Sequence, residues 1–202
     1  MTRRGFLVLA SSAAVTPPVP GRLSVPIHRI FDGRSHPSAG NLRRFQSSIW
    51  PEAVREFRGG GIDLKVSEGP GEIRMSAADR PIFVGLRRRA INLVLTNHLP
   101  LYWDNSRALA GMSTIYEGTP VCAIALQYAH ANQVALVSTN TCVHEILHAL
   151  LEDLLRKPPK WYQYGGREFR VDWYATRLQM FHEGAAIRES GQAYLKRLQS
   201  AG

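Results

Sequence analysis

The sequence predicts an α+β fold in which several short strands precede a helix with one buried face. Apolar runs of strand length, rich in β-branched residues, occur before residue 138. A run with helical periodicity follows at residues 143–154. The chain has 202 residues, of which 45% are hydrophobic, and this is ordinary for a globular protein. We therefore expect one domain with a sizeable core.

The amino terminus has the composition of an export signal. Arg3 and Arg4 precede the pair Phe6-Leu7, and a weakly apolar run of residues 6–15 follows. This pattern resembles a twin-arginine (Tat) signal peptide, whose paired arginines are read by an export receptor. The resemblance implies that residues 1–14 are removed and that the folded protein is exported to the periplasm or secreted. The alternative is a basic tail without a targeting role.

Residues 15–40 are predicted to form an extended lead-in, because five prolines interrupt them. The domain is then expected to occupy residues 41–202. Its first helix is predicted within residues 41–58, with Pro51 at a break or at a new first turn. The run Gly59-Gly60-Gly61 would end this helix.

Several segments are predicted to be strands. Residues 62–66 alternate apolar with polar side chains, and Gly69-Pro70-Gly71 follows them like the turn of a hairpin leading into residues 73–75. We expect a small mixed sheet packed on the helix that follows, with an exposed edge at which an extended peptide could add as a strand. The run 121–126 is the candidate for that edge. Three apolar runs have the length and β-branched content of buried strands: residues 91–95, 121–126 and 134–137.

The predicted helix carries the most informative motif, His144-Glu145-Ile146-Leu147-His148. Its two imidazoles are four residues apart, so they share one face of the helix and can reach one metal ion. Neutral imidazole is a good ligand for Zn²⁺, and a neighbouring carboxylate can take a proton from water that the ion has made acidic. The buried stripe of the helix is formed by Val143, Ile146, Leu147, Leu150, Leu151 and Leu154.

Two carboxylates lie downstream of this motif. Glu168 comes twenty residues after His148, and Asp172 follows four residues later. Together with the histidine motif, they resemble the gluzincin, or thermolysin-like, metallopeptidases. The resemblance covers only about residues 139–176. It implies a zincin-like fold in which a second helix, beginning near Arg167, brings a third ligand over the histidines.

The same resemblance assigns a role to each residue. It implies that His144, His148 and Glu168 are zinc ligands, that Glu145 is the general base, and that Asp172 orients His144. The metzincin pattern is excluded, because the positions that need Gly and His are leucines, Leu151 and Leu154. A simpler interpretation of Glu168 and Asp172 is an acidic first turn that complements a helix dipole.

The loop before Glu168 carries three aromatic residues, Trp161, Tyr162 and Tyr164. Their rings could line a cleft, and the hydroxyl of Tyr162 or Tyr164 could stabilise a developing oxyanion. The alternative is that they pack the loop onto the core.

The resulting functional prediction is an exported zinc metallopeptidase that acts on a peptide or protein substrate. One alternative is a non-catalytic envelope protein with a structural or sequestering metal site. That alternative requires four protein ligands, the fourth coming from His98, His130 or His182. Another is a basic surface-binding module that keeps the zincin scaffold without the metal. The sequence does not define the oligomeric state.

The charge indicates possible partners, and the number of cysteines limits the possible disulfides. The net charge is +9, so an exported form would be attracted to anionic envelope surfaces. The clusters Arg43-Arg44 and Arg87-Arg88-Arg89 are interpreted as solvated faces rather than nucleic-acid contacts, because no nucleic-acid-binding motif accompanies them. Cys122 and Cys142 are too few for a disulfide scaffold, and they form either one disulfide or two buried thiols.

Overall fold

The structure is a computed structural model that describes residues 21–78, 80–99, 102–104, 107–108, 110–130, 133–150, 162–164, 167–169 and 184–200. Its strands, in chain order, are β1 (Leu23–Asp32), β2 (Ile62–Met75), β3 (Pro81–Val84), β4 (Ile91–Thr96), β5 (Tyr102–Asp104), β6 (Arg107–Ala108), β7 (Gly111–Tyr116), β8 (Thr119–Ala125), β9 (Gln127–His130), β10 (Gln133–Leu136), β11 (Tyr162–Tyr164) and β12 (Arg167–Phe169). The helices are α1 (Ala39–Arg44), α2 (Trp50–Gly59), α3 (Thr139–Leu150) and α4 (Gly184–Ser200), and a π-helical segment, Phe45–Ile49, joins α1 to α2.

A six-stranded mixed sheet organises the α+β fold, with the strand order β3-β2-β1-β4-β8-β7. The four inner strands β2, β1, β4 and β8 are parallel to one another, whereas β3 pairs antiparallel with β2 and β7 pairs antiparallel with β8. Phe83 of β3 contacts Tyr116 of β7 edge to face, with ring centroids 5.4 Å apart. Since β3 and β7 stand at opposite ends of the strand order, the sheet curls until its two ends approach each other.

Two apolar clusters lie on the two faces of this sheet. The larger cluster packs α2, α3 and α4 against one face and includes Ile27, Phe57, Leu93, Ile124, Ile146 and Tyr194. The smaller one fills the concave side of the curl and includes Ile30, Ile73, Phe83, Val94 and Val121. The motif helix α3 is held on both sides, because it packs against β7 and β8 of the sheet and against α2 and α4.

The remaining strands form two small antiparallel sheets. One contains four strands in the order β10-β9-β6-β5, and the other pairs β11 with β12. The chain passes from β8 through β9 and β10 into α3, so the motif helix follows a change of sheet. Within the part of the chain described, no helix is long and apolar enough to cross a membrane.

Several sequence-based predictions agree with this architecture. A mixed sheet packs on the motif helix, as expected. The first helical region is confirmed, since helix covers residues 39–59 and Pro51 stands in the first turn of α2. The runs 91–95, 121–126 and 134–137 correspond to β4, β8 and β10.

The predicted lead-in is not separate from the domain. Leu23–Asp32 is an interior strand that pairs with β2 on one side and β4 on the other. The alternation of Leu23, Val25 and Ile27 indicates a strand, but Pro26 within it favoured the interpretation as a lead-in. The sheet therefore begins well before residue 41.

The predicted hairpin at Gly69-Pro70-Gly71 is also wrong, because β2 is one strand of 14 residues. Pro70 precedes Glu72, where pairing with β3 begins, so on that side its missing N–H has no partner strand to lose. Gly71 is needed for a close approach, since a Cβ there would collide with Val84 O and with the Ile30 side chain. Gly71 thus lets β2 lie close to β3 where the pairing of the two strands begins.

The predicted edge strand was misplaced. Residues 121–125 belong to β8, which is fully buried between β4 and β7. A continuous apolar run without alternation is typical of an interior strand, and this signal outweighs the prediction of an edge. The strand at the end of the sheet, next to α3, is β7.

The second helix predicted to begin near Arg167 is wrong at that position. Arg167–Phe169 is strand β12, and it pairs antiparallel with Tyr162–Tyr164 of β11. Gly165-Gly166 separates the two strands in sequence, and a Gly-Gly pair between two strand-like segments is a hairpin signal. The helical interpretation followed the i, i+4 spacing of Glu168 and Asp172 instead.

Candidate metal centre

The motif helix begins at a serine cap. The Ser138 hydroxyl accepts a hydrogen bond from Thr141 N at 3.4 Å, so Ser138 caps the helix. The Thr139 hydroxyl donates to Glu52 Oε2 at 2.7 Å and ties the start of α3 to α2. These contacts, with the buried apolar stripe, fix the rotation of α3 and therefore the direction of its polar side chains.

The two motif histidines converge. His144 Nε2 and His148 Nε2 lie 3.0 Å apart, and their rings are nearly perpendicular, at 81°. His148 is buried and His144 is partly exposed. The i, i+4 spacing on α3 therefore places the same nitrogen of each imidazole at one point, on the side of the helix that is accessible through His144.

Glu145 is buried against strand β7, at 7% exposure. The Ser113 hydroxyl lies 2.7 Å from Glu145 Oε2 and 2.9 Å from Glu145 O. Gly111 leaves room for the carboxylate, because a Cβ at Gly111 would lie 2.7 Å from Oε1. We call Gly111 and Ser113 the β7 cradle, since together they hold the carboxylate of Glu145 over the edge strand.

The buried thiol of Cys122 also contacts Glu145. Cys122 Sγ donates to Glu145 O at 3.1 Å. The serine hydroxyl has one proton, and both the backbone carbonyl and the carboxylate of Glu145 lie within its reach. A hydrogen bond to an ionised carboxylate is the stronger of the two choices.

Both cysteines are free and buried, which decides between the two alternatives left by the sequence. Burial raises the pKa of the Cys142 thiol to about 12, with the nearby charge of Glu145 as a further cause. Burial also raises the pKa of Cys122, against the effect of its hydrogen bond with Ser113. Both thiols therefore stay protonated near neutral pH, and Cys122 acts as a donor beside the motif.

The two imidazole nitrogens lie slightly closer together than two nitrogens bound to one zinc ion would. Two nitrogens at the usual Zn–N distance of about 2.0–2.1 Å and a tetrahedral angle lie about 3.3–3.4 Å apart. The separation here is 3.0 Å, so a small outward movement of either ring would complete this geometry. Among the residues described, no group of three or more His, Cys, Asp or Glu side chains is arranged to hold a metal. The part of the chain that is described thus supplies two converging imidazoles.

The structure describes the backbone of some of the other predicted site residues. The structure places the backbone of Glu168 on β12, opposite Gln163 of β11. Asp172 lies outside the described residues, so its predicted role next to His144 stays a prediction. Tyr162 and Tyr164 form the ends of β11, at the register positions opposite Phe169 and Arg167.

The structure describes the surroundings of two of the three histidines considered as a fourth ligand. His98 Nε2 lies 3.1 Å from Gln127 Nε2, in a polar group at the ends of β4 and β8. His130 is on β9, where its backbone pairs with Gln133 of β10 and Arg107 of β6. His182 lies outside the described residues.

Comparison with known proteins found no matching family model, no similar curated protein and no similar solved structure. The motif and the local geometry of α3 and β7 therefore carry the functional argument.

Sequence reasoning missed the β7 cradle and the thiol of Cys122 beside it. The signal for β7 is weak, because Gly111-Met112-Ser113-Thr114-Ile115-Tyr116 mixes small, polar and apolar residues without clear alternation. The clearer signal is Glu117-Gly118, a pair that suits a tight hairpin turn before the apolar run of β8. Glu117 and Gly118 both have positive φ, at 48° and 76°.

Proposed function

We propose that this chain is an exported zinc metallopeptidase of the gluzincin type, in which His144, His148 and Glu168 bind zinc. The observation that carries the proposal is the convergence of the two Nε2 atoms at 3.0 Å with a buried carboxylate on the adjacent residue. A solvated helix face would not bury Glu145 or bring two imidazoles together. This arrangement suits water activation.

Zinc, when bound, would polarise a substrate carbonyl and make water acidic enough to react near neutral pH. Glu145 acts as the general base in this proposal. Ser113 holds its Oε2 and Gly111 leaves room beside Oε1, so the carboxylate has a fixed position from which to accept the proton of the attacking water. Glu145 then passes the proton to the leaving amine.

The edge strand β7 supports a peptide as the substrate class. It stands at the end of the main sheet, its one strand partner there is β8, and it carries the β7 cradle. An extended peptide could pair through backbone hydrogen bonds with the other edge of β7, which pairs with no strand among the described residues. This pairing would bring the peptide backbone beside Glu145. The sequence predicted this edge at residues 121–126, whereas β7 is the strand at the end of the sheet. The proposed recognition, by addition of the peptide as a strand, is the same.

Export completes the proposal and rests on Arg3 and Arg4 with the apolar run behind them. Because twin-arginine substrates cross the membrane folded, the metal would be loaded in the cytoplasm and carried out with the protein. Asp172 would orient His144 by accepting its second ring N–H.

The test is a metal analysis combined with an activity assay on purified full chain. We expect about one zinc per chain, lost in His144→Ala and in His148→Ala but kept in Glu145→Gln. The parent should cleave a mixture of unstructured peptides, detected by mass spectrometry, and Glu145→Gln should not. Full zinc occupancy in both histidine variants would refute the site. Zinc without hydrolysis in the parent would instead assign a non-catalytic metal site.

Glu168→Ala tests the third ligand separately. We expect this variant to bind zinc much more weakly than the parent. Zinc binding equal to that of the parent would place the third ligand elsewhere, with Asp172 the next candidate.

A further inference from the structure

The loop of residues 85–90, here called the arginine loop, presents three consecutive exposed arginines, Arg87, Arg88 and Arg89. It connects β3 to β4, which are not neighbours in the sheet, so it is not a hairpin turn. Within the part of the chain that the structure describes, the ion pairs involve other residues, and none neutralises this loop. Three positive charges therefore stand together, without an ion-pair partner among the described residues.

The base of the arginine loop is fixed by a fully buried amide. Asn92 Oδ1 accepts from Arg87 N at 2.7 Å, and Asn92 Nδ2 donates to Arg87 O at 3.0 Å and to Ala90 O at 3.1 Å. Ala90 is buried, and Leu86 packs against the cluster on the concave side of the sheet. Both ends of the loop are thus anchored, and the charges sit on a rigid tip.

The tip itself holds an unfavourable backbone conformation. Arg89 has φ of 62°, in the left-handed region where glycine or asparagine is usual. The other described non-glycine residue with positive φ, Glu117, belongs to a two-residue hairpin that requires it. Arg89 does not belong to a hairpin turn, because β3 and β4 are not neighbours in the sheet. A strained residue kept by its surroundings points to a function for its side chain, and here that side chain is a guanidinium.

One of the three arginines is also oriented by a side-chain contact. Arg87 Nη1 donates to Ser67 Oγ at 3.0 Å, and His28 Nδ1 lies 3.1 Å from the same oxygen. Arg87 is therefore held along the sheet surface, while Arg88 and Arg89 form the turn beyond it.

We propose that the arginine loop docks the protein on the phosphate headgroups of an anionic phospholipid bilayer. Guanidinium groups match phosphate oxygens in geometry and charge. Three residues around a tight turn spread their side chains, and this suits several phosphates in one plane better than a single phosphate. Val84, at the end of β3 that leads into the loop, is 39% exposed, and an apolar side chain beside basic ones suits a headgroup interface.

The test is co-sedimentation of the full chain with vesicles of phosphatidylglycerol and phosphatidylcholine, or of phosphatidylcholine alone. We expect binding to the anionic vesicles that weakens as salt is raised, and none to phosphatidylcholine. A triple variant, Arg87→Gln, Arg88→Gln and Arg89→Gln, should bind about 100-fold more weakly, since each basic residue near an anionic surface contributes roughly fivefold. The matched control neutralises three exposed cations elsewhere: Arg43→Gln, Arg55→Gln and Lys196→Gln.

The control should stay within a few-fold of the parent. Equal loss in the two triple variants would overturn the proposal, because net charge alone would then explain binding. Binding to soluble polyphosphate without binding to vesicles would also overturn it.

A single variant separates binding from folding. Arg89→Gly removes both the charge and the backbone strain, so we expect an unchanged or higher Tm together with about fivefold weaker binding to anionic vesicles. If Arg89→Gly bound these vesicles as tightly as the parent, the strained arginine would have no part in docking and the proposal would fail.

Discussion

Two buried carboxylates, Asp32 and Glu145, occupy opposite faces of the same sheet and have different surroundings. Asp32, 1% exposed, accepts hydrogen bonds from Thr96 Oγ1 at 2.8 Å and from two backbone N–H groups, those of Arg34 and Ile73, both at 3.1 Å. Backbone donors do not move without the strand, so this carboxylate is locked into the fold.

Glu145 is nearly as buried, but it follows His144 on the motif helix and is held by a side-chain hydroxyl on an edge strand. Burial alone would rank the two carboxylates as equal candidates for function. Their partners separate them, because one set joins strands together and the other fixes the carboxylate of a motif residue against the edge strand β7. We therefore expect substitutions at Asp32 to act on stability and substitutions at Glu145 to act on reaction rate.

Glu145→Gln should give the largest effect. The amide keeps the size of the side chain but cannot take a proton, so kcat should fall by about 100- to 10,000-fold. Zinc content and Tm should stay close to those of the parent. Steady-state kinetics on a cleaved peptide, with metal analysis of the same preparations, would measure this. A variant that retained parental kcat would remove Glu145 from the mechanism.

Asp32→Asn should show the reverse pattern. Its new amide would direct N–H groups towards donors that need an acceptor, so the free energy of unfolding should fall by about 1–3 kcal/mol. Asp63→Asn is the matched control, because Asp63 forms a partly exposed ion pair with Arg58, worth under about 1 kcal/mol. Urea unfolding would compare them. A loss of kcat in folded Asp32→Asn, without a loss of stability, would contradict the distinction between the two faces.

The same contrast shows what the sequence alone could predict. The spacing of His144 and His148 places them on one helical face, and the structure brings their Nε2 atoms together. Residues 91–95 and 121–126 were recognisable as strands because local pattern determines a buried strand. These predictions needed only residues that lie close together in the sequence.

Predictions that depended on distant pairing did worse. Nothing local indicates that residues 23–32 pair with both β2 and β4, or that β8 is covered by β7 rather than left at the edge. The contact of Ser113 with Glu145 joins residues 32 positions apart, and no periodicity in either segment encodes it. Gly165-Gly166 is the exception, since its hairpin signal was local but the spacing of Glu168 and Asp172 was given more weight.

Gly111→Ala should produce an intermediate effect confined to the site. The added Cβ would lie 2.7 Å from Glu145 Oε1, so the carboxylate must shift, and a shift of this size lowers kcat by up to about 100-fold. Zinc should remain bound. Gly59→Ala is the control, because a Cβ there meets no atom within 4 Å. Parental kcat in Gly111→Ala would show that the β7 cradle does not position Glu145.

The smallest expected effect concerns pH and His28, which lies on the same face of β1 as Asp32. Burial lowers the pKa of His28, and the positive charge of Arg87 lowers it further. In the unfolded chain a histidine has a pKa of about 6.5. As pH falls below this value the unfolded state takes up a proton that the native state resists, so native stability is lost as pH falls towards the lowered pKa.

His28→Gln should remove this dependence, although it also loses the contact with Ser67 and lowers stability at neutral pH. The measurement is the free energy of urea unfolding between pH 7.5 and 5, with exposed His36→Gln as the control. We expect the parent and the control to lose stability over this range more steeply than His28→Gln. Parallel slopes in all three proteins would show that His28 titrates alike in the native and unfolded states, and the buried face of β1 would then be insensitive to pH.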